Sequence, residues 1–293
     1  MGTELDSRGV DTHDPLWSAL ALTTAPEAVR QVHTDYLKAG ARVITTNTYQ
    51  ATFPALLRAG HDAHRAREVI AAGARLAGEA ARRFEAEHPE AQLLIAGGLG
   101  PYGAYLADGS EYTGVYDVGA LDAPVFRDVH LPRIEMLAGE GIDLFALETL
   151  PRLDEAQALV GAVEDLAAES ECWVSFQVRP DGAHLADGTP LAEAASWAAD
   201  QETVVAVGVN CVAPDVVARA LPVLREATTK PLVAYPNSGD LYDPATKTWK
   251  AGEEGDGLAA LAPSWGASGV RLIGGCCRTR PAQIRELAHA LSA

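Results

Sequence analysis

The stretch IDLFALETL (142–150) runs through four consecutive apolar residues, Leu144 to Leu147, before it reaches Glu148. A strand with one wet face alternates apolar and polar side chains. A strand that is apolar on both faces belongs in a parallel sheet covered by helices. Six further runs of strand length share the character: ARVITTNTY (41–49), QLLIAGGLG (92–100), CWVSFQV (172–178), VVAVGVNC (204–211), PLVAYPNS (231–238) and GVRLIGGCC (269–277). Between them lie Ala-, Glu-, Arg- and Leu-rich segments of helical period, among them 26–40, 62–88, 152–170 and 280–293. This alternation predicts an α/β fold. About seven such units, with no linker or composition break, predict a single domain over 1–293 built as a (β/α)8 TIM barrel, one strand short of eight. Insertions follow two strand C-termini, at 101–122 and 239–257, on the face where barrels place their active sites.

Composition narrows the function. A formal net charge of −17 repels phosphate backbones and anionic lipid, which argues against nucleic-acid or membrane partners and for small-molecule substrates. The opening MGTELDSRGVDTHDPLW has no basic stretch followed by an apolar one, and no apolar run approaches the roughly 18 residues of a membrane span. A cytoplasmic address follows as the expectation. Thiols are kept reduced there, so the adjacent pair Cys276–Cys277 points to metal binding or catalysis rather than a disulfide.

Those two cysteines close the last strand, and Cys211 closes the GVNC strand two units earlier. In a barrel all three thiols face one mouth. Three thiolates suit Zn²⁺, and a catalytic site keeps three protein ligands and one open position. Neighbouring cysteines can both ligate only where the backbone turns sharply, for which Gly274 and Gly275 offer freedom. The alternative reading is that the cysteines are small buried hydrophobes; Cys172, at a strand start, fits that description. An all-sulfur site leaves the metal little charge to acidify water, which favours thiolate alkylation over hydrolysis.

Together GVNC, GGCCRT, DLFALETLP, ITTNTYQATF, GGLGPYGAYLADGSEYTG and YPNSGDLYDPATKTW resemble the homocysteine S-methyltransferase family, specifically its S-methylmethionine-using branch. The resemblance implies a (β/α)8 barrel, zinc held by Cys211, Cys276 and Cys277, and methyl transfer from S-methylmethionine or S-adenosylmethionine to homocysteine, giving methionine. It implies that Glu148 holds the homocysteine ammonium, where a fixed counter-charge is needed. Thr46, Asn47 and Tyr49 match a substrate-contacting segment; read alone they begin a loop. Trp17 and Tyr49 are candidates to face a sulfonium cation or to serve as ordinary packing. Asn210 is placed to orient its neighbour Cys211. The alternatives are a non-catalytic zinc- or thiol-binding barrel, a selenohomocysteine methyltransferase and a zinc hydrolase.

The family opens with a first strand ending in Asp-Gly before Gly-Thr-Glu-Leu, whereas this sequence begins at MGTEL, so that strand is expected to be absent. GLGPYG (98–103) spells a dinucleotide-binding pattern, but Pro101 and a non-helical continuation argue for a loop. The eight histidines are scattered; His33 and His64 read as surface or satisfied core.

Overall fold

The computed structural model describes residues 1–12, 14, 16–117, 119, 124–239, 241–243, 248–250 and 257–292. All seven expected strands form: β1 (Val43–Thr45), β2 (Leu94–Leu99), β3 (Leu144–Leu150), β4 (Glu171–Phe176), β5 (Val204–Asn210), β6 (Leu232–Tyr235) and, after a small hairpin of β7 (Leu241–Asp243) and β8 (Thr248–Lys250), β9 (Val270–Ile273). They pair in parallel in the order β1-β2-β3-β4-β5-β6-β9. The hairpin lies in the insertion at 239–257. Among the described residues β1 and β9 are the two edges and do not pair with each other. The result is an open, TIM-barrel-like α/β fold.

The pattern of burial explains the architecture. Ala96, Leu144, Ala146, Trp173, Ala206 and Val233 form a cluster drawn from strands alone, so they fill the concave side of the sheet. Phe145, Leu147, Val174 and Val207, of opposite parity, join helix residues such as Val69, Leu159 and Val217 in the main core. Both faces of each central strand are therefore dry, as the unbroken apolar runs require. The helices close over the sheet through small residues. Ala63–Glu87 starts at Asp62, whose side chain accepts from Arg65 N, and buries Ala66, Gly73, Ala74, Ala77 and Ala80. β5 and β6 approach so closely that a Cβ on Gly208 would stand 1.7 Å from the Val233 carbonyl oxygen, so no side chain fits there.

Helix ends place the loops that matter for the site. Pro124–Gly139 packs beside the 101–116 segment, which contains a short helix, Tyr102–Leu106, and a 3-10 turn, Ser110–Tyr112. Residues 118 and 120–122 of that insertion, and most of the 239–257 insertion, lie outside the described residues. Among the described residues no helix is long and apolar enough to cross a membrane.

Candidate metal and substrate site

β6 stitches the three cysteines together. It lies between β5 and β9, and its C-terminal extension bonds to both cysteine turns. Cys211 N donates to the Tyr235 carbonyl (3.1 Å), Cys276 N to the Pro236 carbonyl (2.7 Å), and Ser238 N to the Cys277 carbonyl (3.1 Å). The sharp turns fall at Cys211 (φ 54°) and Arg278 (φ 65°), not at the glycine pair from which sequence reasoning drew the freedom. Gly275 is required instead by crowding, since a Cβ there would stand 2.2 Å from Thr279 Cγ2.

The three Sγ atoms lie within 4.8 Å of one another, and Cys211 and Cys277 are 3.7 Å apart. A tetrahedral zinc with bonds of about 2.3 Å sets its sulfurs roughly 3.8 Å apart, so the donor set fits that ion in type and spacing. Contact with the Cys211 sulfur, together with burial, holds the Cys276 thiol well above its ordinary range. Three crowded thiols cannot all ionise without a cation to balance them. Cys172 is apart from this group, fully buried in the main core, where burial pushes its thiol up to about 12.

Glu148 opens on the same cavity as the three cysteines, a space of about 580 Å³. Desolvation pushes its carboxyl up to about 7, against a hydrogen bond with Tyr235 and the pull of the N-terminal ammonium. Asn210 does not serve the role expected of it. Its Oδ1 accepts from Thr149 N (2.8 Å) and Ser175 Oγ (2.8 Å), and its Nδ2 donates to Thr149 Oγ1 (2.8 Å). These bonds hold Thr149 in a left-handed conformation (φ 61°), and so fix the backbone beside Glu148. Adjacent strand residues point to opposite faces, which is why the Asn210 side chain turns away from Cys211.

Thr46, Asn47, Tyr49 and Trp17 all line the cavity, but the polar atoms of the first two are engaged within the fold. Thr46 Oγ1 accepts from Gly98 N (2.9 Å) and lies 2.6 Å from Thr48 Oγ1. Asn47 Nδ2 donates to the Ser18 carbonyl (2.8 Å) and its Oδ1 accepts from Ser18 Oγ (2.8 Å). Asn47 thereby seats Trp17 edge-on to Tyr49, ring centroids 6.3 Å apart at 74°.

Several residues of the site escaped sequence reasoning. Tyr112 OH lies 3.9 Å from Cys211 Sγ, and Glu111 beside it lines the cavity. Both lie within GGLGPYGAYLADGSEYTG (97–114), where no local pattern marks them as site residues. Arg133, fully buried, donates to the carbonyls of Tyr49 (2.8 Å) and Gly100 (3.0 Å) and contacts His130 Nδ1 (2.7 Å), tying together the ends of two strands. The run after Pro101 is helical over Tyr102–Leu106, contrary to the loop expected. Its first free N–H, on Tyr102, is taken by Glu155 Oε1 at 2.5 Å, so a carboxylate of the protein occupies the place where a pyrophosphate would sit. His64 is exposed, whereas His33 is neither surface nor satisfied: it is buried, and among the described residues its Nε2 has no partner.

Comparison with known proteins identifies the family. The family model described as homocysteine S-methyltransferase matches residues 1–291. The homocysteine S-methyltransferase of Escherichia coli (strain K12) is 46% identical over 291 residues, covering 98% of this chain and 92% of that protein. The homocysteine S-methyltransferase YbgG of Bacillus subtilis (strain 168) is 41% identical over 292 residues, covering 98% and 91%. The metallated form of the E. coli homocysteine methyltransferase MmuM superposes with a TM-score of 0.88 at 42% identity, over 99% of this chain and 93% of that one.

Proposed function

The chain belongs to the homocysteine S-methyltransferase family and is an enzyme of that class, and on this premise we propose that it moves a methyl group from a sulfonium donor, S-methylmethionine or S-adenosylmethionine, to homocysteine, with Zn²⁺ held by Cys211, Cys276 and Cys277. The observation that carries this reading is the convergence of three sulfurs within 4.8 Å in a cavity that Glu148 also lines. Zinc bound there would supply an open position that holds the acceptor sulfur in its thiolate form.

The remaining work falls to the protein's own side chains. Glu148 pairs with the homocysteine ammonium, and the approaching cation favours its ionised form although burial raises its pKa. Trp17 and Tyr49 present aromatic surface to the donor cation. Thr46, Asn47 and Asn210 act one step back, by fixing the strand ends on which these groups stand. The methyl carbon leaves the sulfonium sulfur, which keeps the bonding pair and becomes a neutral thioether, and joins the acceptor sulfur to give methionine. No protein acid or base has to move a proton in that step. The whole homocysteine-binding barrel, 1–293, acts as one unit in this reading, in a cytoplasmic setting where its thiols stay reduced.

The family match over residues 1–291 favours catalysis over a non-catalytic zinc- or thiol-holding barrel. The test is methionine formation from homocysteine and each donor, followed by mass spectrometry with and without a zinc chelator. Chelator-sensitive methionine from at least one sulfonium donor is expected; no methionine from either donor with zinc-loaded protein would overturn the reading.

A further inference from the structure

A second, half-buried carboxylate faces the cavity. Glu111 stands on the Ser110–Tyr112 turn and lines the same space as Glu148. Among the described residues its Oε2 is buried without a hydrogen-bond partner. Glu111 shares that lining with the aromatic rings of Tyr49 and Tyr112. Burying a carboxylate oxygen without a partner is costly, and no contact among the described residues offsets that cost at Oε2.

The turn that holds Glu111 is braced at several points. Ser110 N and Oγ donate to Asp108 Oδ1 at 2.9 and 2.5 Å. Tyr102 N is held by Glu155 at 2.5 Å, the Gly114 carbonyl accepts from Arg152 at 3.2 Å, and Gln50 donates to the Ala104 carbonyl at 2.8 Å. A Cβ on Gly103 would stand 2.5 Å from Glu111 N, so the backbone is packed tightly from below. A carboxylate on a braced segment of the cavity wall, with one oxygen left open among the described residues, is placed to receive a cation.

We propose that Glu111 binds the α-ammonium of the methyl donor and so restricts the enzyme to sulfonium donors that are also amino acids. This rests on the methyl-transfer reading above. Glu148 serves the acceptor in that reading, whereas Glu111 sits next to Tyr112, whose hydroxyl lies near Cys211. Two amino acids in one cavity need two counter-charges, and Glu111 and Glu148 both line it. The partner is the ammonium and not the sulfonium for an electrostatic reason. The sulfonium loses its charge as the methyl departs, so a carboxylate paired with it would stabilise the ground state against reaction. The ammonium keeps its charge throughout, and its binding energy lowers KM while leaving kcat alone. Burial pushes the Glu111 carboxyl up to about 7, and a bound ammonium would restore the ionised form.

The test compares the zinc-loaded parent with Glu111→Gln and Glu111→Asp, using S-methylmethionine and dimethylsulfoniopropionate, a sulfonium without an ammonium group. Calorimetry reads donor binding and steady-state kinetics reads turnover; circular dichroism and zinc content check that the variants fold. Glu111→Gln is expected to weaken S-methylmethionine binding about 30-fold and raise its KM equally. Its kcat and its KM for homocysteine should stay within about threefold of the parent, its handling of dimethylsulfoniopropionate should be unchanged, and Glu111→Asp should recover part of the loss. Equal S-methylmethionine binding by parent and Glu111→Gln, or equal loss with both donors, would overturn the proposal while leaving the methyl-transfer reading intact. A zinc-loaded parent that makes no methionine from S-methylmethionine would overturn both.

Discussion

Cys211 Sγ and Cys277 Sγ lie 3.7 Å apart although 66 positions separate them in the chain. That is too far for a disulfide, which needs about 2.05 Å, and close to the spacing of two thiolates on one zinc. The contact exists because the end of β6 bonds to both cysteine turns, so the strand order of the sheet and the sulfur cluster are one construction.

In the proposed reading Glu148 separates a homocysteine enzyme from a generic thiol site. A small thiol meets the metal through sulfur alone, so discrimination must come from a group that reads the amino-acid end. Glu148→Ala is expected to keep its zinc and lose roughly 30- to 1000-fold in kcat/KM for homocysteine. A thiol lacking the amino group should react as weakly with the variant as with the parent. Equal kcat/KM for homocysteine in variant and parent, or metal loss from the variant, would contradict the role.

Asn210 acts on Thr149 and not on Cys211, and this makes its variant informative. Asn210→Ala removes three hydrogen bonds and leaves the Thr149 N–H buried, which should lower stability by about 2–4 kcal/mol in urea unfolding. Because Glu148 precedes Thr149, KM for homocysteine should rise with zinc stoichiometry unchanged. Loss of zinc with an unchanged KM would restore the role expected from sequence adjacency.

His33 gives the acid limb of stability. Burial, with the nearby N-terminal ammonium adding to it, pushes its imidazole down to about 3, whereas an unfolded histidine titrates near 6.5. Between those values the unfolded chain binds one more proton, so this contribution is complete above about pH 6.5 and is lost as pH falls toward 3, by at most about 1.4 kcal/mol per pH unit. Glu111 and Glu148, both raised to about 7, carry the opposite sign in part of this window. The comparison is therefore parent against His33→Leu at each pH. Between pH 7 and pH 5 the parent should lose about 2 kcal/mol more than the variant; parallel stability curves would contradict the assignment.

How much of this was legible in the sequence depended on distance along the chain. Parallel strands announce themselves because both faces are buried, and all seven fell where the apolar runs stood. The cysteines were legible as a cluster because each ends a strand. Adjacency misled where strand alternation decides direction, as at Asn210, and where crowding rather than φ demands glycine, as at Gly275. Pro101 in sequence argues for a loop, whereas it caps the Tyr102–Leu106 helix, a position that tolerates a residue without an N–H. Arg133 and Glu155 were invisible because their partners, Tyr49, Gly100 and Tyr102, are remote in sequence and no local pattern marks a buried charge that fastens loops.

The central claim is that Cys211, Cys276 and Cys277 hold one zinc and Cys172 does not. Zinc content of the parent and of the four single Cys→Ser variants, measured by plasma emission after dialysis against a mild chelator, tests it most directly. The account predicts about one zinc per chain in the parent and in Cys172→Ser, and loss of nearly all of it in each of the other three. Full zinc retention in Cys211→Ser, Cys276→Ser or Cys277→Ser would contradict it.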